Sequence, residues 1–172
     1  MAPLGSTSIQ IGESFVGVGG EAAHVNTVLG PRDGPVGTAW ATALATPRAG
    51  HAAFVVVLRP SLPVKPLTLF VNKAAIDGDA HAALTWGAAQ AGVAGGVADA
   101  VANGVIAAER VDDLALIAAV WVDPAAHDAD AVYRNNREAT RIALAAGRDR
   151  KPAIDEVLAA RAHPFNPFFD SR

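Results

Sequence analysis

The stretch Ala23-His24-Val25-Asn26-Thr27-Val28 alternates apolar and polar side chains, and Ser8-Ile9-Gln10-Ile11-Gly12 shows the same alternation earlier in the chain. Successive side chains of a strand point to opposite faces of a sheet. The pattern therefore predicts two strands, joined through the glycine-rich segment Gly17-Val18-Gly19-Gly20. His24 and Asn26 then share one face of the second strand.

The remaining segments predict a mixed α/β fold. The charge-free, β-branched run over 52–58 is typical of a strand covered on both faces, and apolar residues at intervals of four over 79–103 are typical of a helix. No internal repeat or linker divides the chain, so residues 1–172 are predicted to form a single domain. The predicted elements are a helix over 36–45, strands over 52–58, 67–74 and 114–122, a stiff, extended proline-containing segment over 60–66, and helices over 79–103, 128–146 and 154–162.

Composition excludes several functional classes. The 172 residues carry 14 basic and 17 acidic side chains and no cysteine, which indicates neither a nucleic-acid surface nor a disulfide framework or thiolate site. The first ten residues lack the pattern of an export signal. Residues 80–98 carry no Asp, Glu, Lys or Arg, yet they include polar side chains and favour a tightly packed helix over a membrane span. A cytoplasmic protein is expected.

The sequence motifs do not indicate a metal site or a nucleotide site. The five histidines, at positions 24, 51, 81, 127 and 163, have neither zinc-helix spacing nor neighbouring thiolates. The segment Gly17-Val18-Gly19-Gly20 leads into a strand rather than a helix and lacks the later glycine of the dinucleotide fingerprint. The sequence predicts no metal site and no bound nucleotide.

Three polar side chains have both a structural and a chemical interpretation. His24 follows the glycine turn close to Glu21, so it is either a packed or surface histidine or a proton donor tuned by that carboxylate. Lys73 is either a solvated lysine at a strand end or a cation that orients a substrate. Gln90 lies in an apolar helix, where its amide needs a protein, water or ligand partner.

Short motifs, each occurring once, are distributed along nearly the whole chain. They are Gly17-Val18-Gly19-Gly20-Glu21-Ala22-Ala23-His24-Val25, Leu29-Gly30-Pro31-Arg32, Leu58-Arg59-Pro60-Ser61-Leu62-Pro63-Val64-Lys65-Pro66, Asn72-Lys73, Trp86-Gly87-Ala88-Ala89-Gln90, Val97-Ala98-Asp99-Ala100-Val101, Asp112-Asp113-Leu114, Asn136, Glu138-Ala139-Thr140 and His163-Pro164-Phe165. Each is a weak motif alone. Their order and spacing together resemble the formaldehyde-activating enzyme family.

That resemblance implies a fold, a reaction and an assembly. The fold is a single α/β (α+β) two-layer sandwich resembling the second domain of a ribosomal small-subunit protein, assembled as a ring-shaped homopentamer. The reaction is that of a carbon–oxygen lyase (a hydro-lyase), which condenses formaldehyde with tetrahydromethanopterin, or its dephospho form, to methylene-tetrahydromethanopterin and water. The pterin is a co-substrate and no cofactor is bound covalently. The implied setting is one-carbon metabolism, including formaldehyde detoxification and methylotrophy.

The resemblance also implies site residues and shows where this chain departs from the family. Asn26 stands for an aspartate, Ala75 for a threonine and Val55 for a leucine, so a divergent paralogue is favoured. The alternative is a non-catalytic protein that binds or senses formaldehyde or a pterin. The tail from about residue 163 is either mobile or part of a subunit contact. The catalytic position falls on His24, and the substrate-binding positions fall on Asn26, Val55, Lys73, Ala75 and Gln90.

Overall fold

The computed structural model describes residues 8–170, which form a mixed α+β fold built on a five-stranded sheet. The strand order is β1-β2-β7-β6-β3, with β6 and β7 parallel and the other neighbours antiparallel. The predicted mixed class is confirmed. The strands are β1 (Gln10–Val16), β2 (Ala23–Pro31), β3 (Phe54–Val55), β4 (Val57–Arg59), β5 (Leu62–Pro63), β6 (Leu67–Asn72), β7 (Leu114–Trp121), β8 (Phe165–Asn166) and β9 (Phe169–Asp170).

Two long helices bury one face of this sheet. A Cβ built on Gly12 of β1 would lie 1.8 Å from the carbonyl oxygen of Ala143, so the sheet and the helix that carries Ala143 touch through backbone. Between the two helices, a Cβ on Gly92 would lie 2.5 Å from the carbonyl oxygen of Tyr133, and one on Gly96 would lie 2.6 Å from that of Arg137. The helices are α1 (Pro35–Ala45), α2 (Gly78–Ala83), α3 (Gln90–Ala102), α4 (Ala129–Asp149) and α5 (Ile154–Ala160).

Helix α1 packs on the opposite face of the sheet, at one end only. A Cβ on Gly30 of β2 would lie 2.7 Å from Cγ2 of Val36, the buried residue of α1. Gly30 is an odd number of residues from Thr27, which faces α4, so α1 adds a partial third layer to the predicted two-layer sandwich. The other end of this face, which carries His24 and Asn26, stays open.

The prediction of one continuous strand over 52–58 is wrong. The segment divides at the buried Val56 into β3, at the edge of the main sheet, and β4, which pairs with β5. The predicted extended segment over 60–66 is also wrong, because the chain reverses there at Ser61, which has a φ of 66°. Proline stiffens a turn as readily as an extended segment, and the sequence did not distinguish the two.

The predicted helix over 79–103 is confirmed as one helical run with an internal irregularity. Helices α2 and α3 are joined by a π-helical segment, Leu84–Ala89, and the run ends before Gly104, which has a φ of 70°. Helix α4 begins after Asp128, whose side chain accepts the N–H of Ala131 at 3.0 Å. No helix within residues 8–170 is long and apolar enough to cross a membrane.

The tail forms a short hairpin from β8 and β9. Its aromatic side chains are exposed, with Phe165 and Phe168 each about four-fifths accessible. The ring of Phe168 nevertheless meets the indole of Trp121 edge to face, with 6.0 Å between centroids. Trp121 pairs with His24 across β7 and β2, so the hairpin approaches the open face of the sheet.

Candidate active site

His24 lies on the open face of the sheet and contacts a carboxylate on the neighbouring strand. Its Nε2 is 3.0 Å from Oε1 of Glu13, which β1 places opposite Asn26. The expected partner Glu21 is wrong, because its carboxylate contacts Nδ1 of the exposed His127 at 2.9 Å. Glu21 is close to His24 in sequence only, since the 3₁₀ turn before β2 directs it toward the start of α4.

The second nitrogen of His24 contacts Lys73, which follows β6. The Lys73 Nζ is 3.2 Å from Nδ1 of His24 and 2.7 Å from Oδ1 of Asn26. Strands β6 and β2 are separated by β7, hence by about 10 Å, and the lysine side chain spans this gap. The residue of β7 that pairs with Asn26 is Ala119, whose small side chain leaves room for that passage.

These contacts fix the tautomer of His24. An ammonium group is a donor only, so Nδ1 of His24 accepts a hydrogen bond from Lys73. The ring proton then resides on Nε2 and is donated to Glu13. The imidazole therefore connects a cation on one side to a carboxylate on the other, an arrangement suited to moving a proton.

Burial and neighbouring charges lower the basicity of both nitrogen groups. Burial lowers the pKa of His24 and the Lys73 cation lowers it further, while the charge and hydrogen bond of Glu13 act in the opposite direction. Burial also lowers the pKa of Lys73, against a smaller opposing effect of Glu13. The lowered pKa brings proton exchange at Lys73 closer to neutral pH, whereas the lowered pKa of His24 favours its neutral imidazole, the form that can accept a proton.

The other predicted positions do not reach His24 within the single chain. Val55 lies on β3, three strands from β2, hence about 14 Å away. Gln90 begins α3 directly after the π-helical segment, and its Oε1 accepts the N–H of Val57 at 2.6 Å. Ala75 is exposed and lies beside Gly50. The structure thus unites His24, Asn26 and Lys73, and it places Gln90 against Val57, two residues after Val55 at the edge of the sheet.

Asn135 is a supporting residue that sequence reasoning missed. Its Nδ2 donates to the backbone oxygen of Glu21 at 2.8 Å, and it lies beside Gly17, whose φ is 92°. Helix α4 thereby holds the glycine turn that leads into His24. Glu13 was missed as well, because its place on the face of His24 follows from the register in which β1 pairs with β2, with Glu13 opposite Asn26.

Two further features of the described residues lie outside this site. A cavity of about 270 Å³ opens at the other end of the sheet, near Leu29, Leu114 and Arg110, and contains none of the predicted site residues. Within residues 8–170, no group of three or more His, Asp or Glu side chains is placed to hold a metal ion.

The amino-acid sequence of the chain is similar to a protein family and to several named proteins. A family model described as formaldehyde-activating enzyme (Fae) matches residues 11–169. The chain belongs to this family. It is 43% identical over 158 residues to a 5,6,7,8-tetrahydromethanopterin hydro-lyase of Methanosarcina barkeri, covering 92% of this chain and 89% of that protein.

Other formaldehyde-activating relatives are longer than this chain. It is 45% identical over 148 residues to a bifunctional enzyme Fae/Hps of Methanococcoides burtonii, covering 86% of this chain and 37% of that protein. It is 40% identical over 159 residues to a bifunctional enzyme Fae/Hps of Archaeoglobus fulgidus, covering 92% of this chain and 40% of that protein. The chain spans about two fifths of these bifunctional relatives.

We predict that Glu13→Gln shifts the pH dependence of any reaction that uses protonated His24. The amide can still accept a hydrogen bond from Nε2, but the negative charge that raises the pKa of His24 is lost. The imidazolium form then becomes scarcer at neutral pH. A pH profile of kcat/KM should therefore begin to fall at lower pH than in the parent protein, with up to about a tenfold loss at pH 7.

Glu21→Gln is the matched control for this prediction. It removes the carboxylate that is close to His24 in sequence but contacts His127 in the structure. Its pH profile should coincide with that of the parent protein. A shift in the Glu21→Gln profile together with an unchanged Glu13→Gln profile would contradict the assignment of Glu13.

Proposed function

We propose that the chain condenses formaldehyde with tetrahydromethanopterin, or its dephospho form, giving methylene-tetrahydromethanopterin and water. The observation that supports this most is the position of His24 between Glu13 and Lys73 on an open sheet face, in a chain of the formaldehyde-activating family. The reaction class is that of a carbon–oxygen lyase, which is also what the name of the Methanosarcina barkeri relative describes.

The reaction chiefly requires the protein to donate a proton and to position the two substrates. A pterin nitrogen attacks the aldehyde carbon, and the resulting carbinolamine must lose its hydroxyl as water before a second nitrogen closes the ring. His24 is the general acid that protonates this hydroxyl, and Glu13 stabilises the imidazolium that does so. The same imidazole then takes up the proton released as the second nitrogen adds.

The remaining site residues hold the pterin so that both of its nitrogens reach one carbon. Lys73 and Asn26 contact its polar edge beside His24. The carboxamide of Gln90 keeps its Nε2–H groups available for a ligand, because only its Oε1 is bound within the described residues. Val55 supplies apolar contact, and Ala75 stands at a position that contributes no hydrogen bond here.

The assembly we propose is a ring-shaped homopentamer in the cytoplasm, with formaldehyde and the reduced pterin as its small-molecule partners. The exposed aromatic side chains of the tail, Phe165, Phe168 and Phe169, support a subunit contact there. Consumption of formaldehyde in methylotrophic or detoxifying one-carbon metabolism is the proposed role.

A non-catalytic formaldehyde- or pterin-binding protein is the second candidate. The observation that favours it is Asn26, a neutral side chain whose Oδ1 is already engaged by Lys73. A ligand beside His24 therefore meets no negatively charged acceptor at position 26, whereas an aspartate there would provide one.

We predict that substoichiometric protein accelerates formation of the methylene pterin from formaldehyde and tetrahydromethanopterin. A catalyst regenerates its site, so the initial rate above the spontaneous reaction should rise in proportion to protein and persist through many turnovers. Absorbance of the pterin follows the reaction, and tetrahydrofolate in a parallel reaction tests the choice of pterin. Saturation at one equivalent of ligand per site, with no added rate, would favour the binding protein instead.

A further inference from the structure

The three lysines of the chain differ in their partners. Lys65 forms an ion pair with Asp112, and Lys151 lies 3.9 Å from Glu156. Within the described residues, Lys73 contacts no carboxylate, and its two partners are the amide oxygen of Asn26 and the ring nitrogen of His24. Lys73 alone among the three lysines thus has neutral partners that do not hold it in the ammonium form.

The surroundings of Lys73 also favour release of its proton. The side chain is partly buried, and this burial lowers the pKa of the amine, against a smaller opposing effect of Glu13 from the other side of His24. Its Nζ is within hydrogen-bonding distance of Nδ1 of His24, which is free to accept a proton. A lysine of this kind is a nucleophile toward small carbonyl compounds.

We propose that Lys73 binds formaldehyde covalently, through a carbinolamine that dehydrates to a methylene iminium, with His24 as its proton carrier. This inference rests on formaldehyde being the substrate, as argued above. It gives Lys73 a chemical role in addition to orienting the pterin. It also gives the substitution of an aspartate by Asn26 a physical consequence, because a carboxylate at that distance would keep the amine protonated.

The proposed step balances without any other reagent. The Lys73 ammonium passes a proton to Nδ1 of His24, and the free amine forms a bond to the aldehyde carbon while the carbonyl π pair moves to oxygen. A proton shifts from nitrogen to that oxygen to give the carbinolamine. The His24 imidazolium then protonates the hydroxyl, which leaves as water. One ammonium and one formaldehyde thus yield one methylene iminium and one water, with no change of oxidation state.

Transfer to the pterin follows from the same chemistry. A pterin nitrogen attacks the iminium carbon, and the lysine nitrogen leaves as the amine when the second pterin nitrogen adds to that carbon. His24 is within reach of the lysine nitrogen throughout, so it can return the proton that the amine requires. The adduct itself forms without pterin, which makes it separately measurable.

The test is reductive trapping of the full-length protein. Cyanoborohydride reduces an iminium to a methylamine, so brief treatment with formaldehyde and cyanoborohydride at pH 7 marks each lysine by its rate of adduct formation. Peptide mass spectrometry resolves Lys65, Lys73 and Lys151. We expect methylation of Lys73 to begin at least about tenfold faster than that of the other two, although Lys73 is less accessible.

Two variants and a denatured sample complete the test. Asn26→Asp provides Lys73 with a carboxylate like those of the other lysines, and should slow its methylation about tenfold while leaving Lys65 and Lys151 unchanged. Lys73→Arg keeps a cation and should lose the fast label. In concentrated urea the three lysines should react at similar rates. Equal rates at all three positions in the folded parent protein would overturn the proposal.

The outcome for Lys73 is independent of the outcome for the overall reaction. Turnover with tetrahydromethanopterin but no preferential label on Lys73 would remove the covalent step and leave the proposed function in place. A preferential label without turnover would keep the formaldehyde adduct and refute the condensation activity.

Discussion

His24→Ala is expected to lower kcat/KM for methylene-pterin formation by about 10²- to 10⁴-fold, the range typical of a lost general acid. The imidazole joins Glu13 to Lys73, and no other described side chain contacts both residues. Alanine removes the proton carrier without enlarging the buried core, because His24 lies on the open face of the sheet. Initial rates, corrected for the spontaneous condensation, provide the measurement.

His127→Ala is the matched control for the His24 variant. It removes an exposed imidazole that also contacts a glutamate, yet it lies away from Lys73. We expect unchanged kinetics. Circular dichroism and thermal unfolding of both variants should match the parent protein. If the His24→Ala enzyme instead retained the parental rate, proton transfer would have to be reassigned to solvent or to the pterin itself.

Gly12→Ala is expected to destabilise the fold by about 3 kcal/mol or more, at the upper end of overpacking effects. The added Cβ would lie 1.8 Å from the carbonyl oxygen of Ala143 and 3.0 Å from Oγ1 of Thr27, so β1 and α4 must move apart. The shortest contact is with backbone, which cannot give way as the end of a flexible side chain can. Urea unfolding of the variant measures this loss of stability. A Gly12→Ala protein that is already largely unfolded when it is produced also agrees with the prediction.

Gly87→Ala is the corresponding control. Gly87 lies in the π-helical segment, and a Cβ there would meet no atom within 4 Å. Alanine has a higher helix propensity than glycine by about 1 kcal/mol, so stability should be unchanged or slightly higher. If Gly12→Ala and Gly87→Ala lost equal amounts of unfolding free energy, the close approach of β1 to α4 would not be the cause of the destabilisation at position 12.

Part of the candidate site could be predicted from the sequence because it depends on local periodicity. The alternation around His24 placed it with Asn26 on one face, and the end of a strand placed Lys73 where a side chain can project from the sheet. The resemblance to the family then joined these residues into one site. The contact between Lys73 and His24 depends on strand order, since β6 and β2 are both neighbours of β7.

Other parts could not be predicted because they depend on contacts distant in sequence. The choice between Glu13 and Glu21 as the partner of His24 required the pairing of β1 with β2, which no local pattern fixes. The division of the predicted strand at Val56 reflects competition between the main sheet and the β4–β5 hairpin for the same apolar run. Local propensity favours a strand in both arrangements, so it does not decide between them.

The passage of Lys73 over β7 shows that reactivity in this fold has a steric component. Ala119 pairs with Asn26 on one side and with Val71 on the other, so its methyl group lies on the part of the sheet face that the Lys73 side chain crosses to reach the imidazole. A residue without any ionisable atom thereby controls whether two ionisable groups can exchange a proton. An engineer seeking to disconnect that exchange while leaving every charge in place would enlarge this methyl group rather than alter the acid or the base.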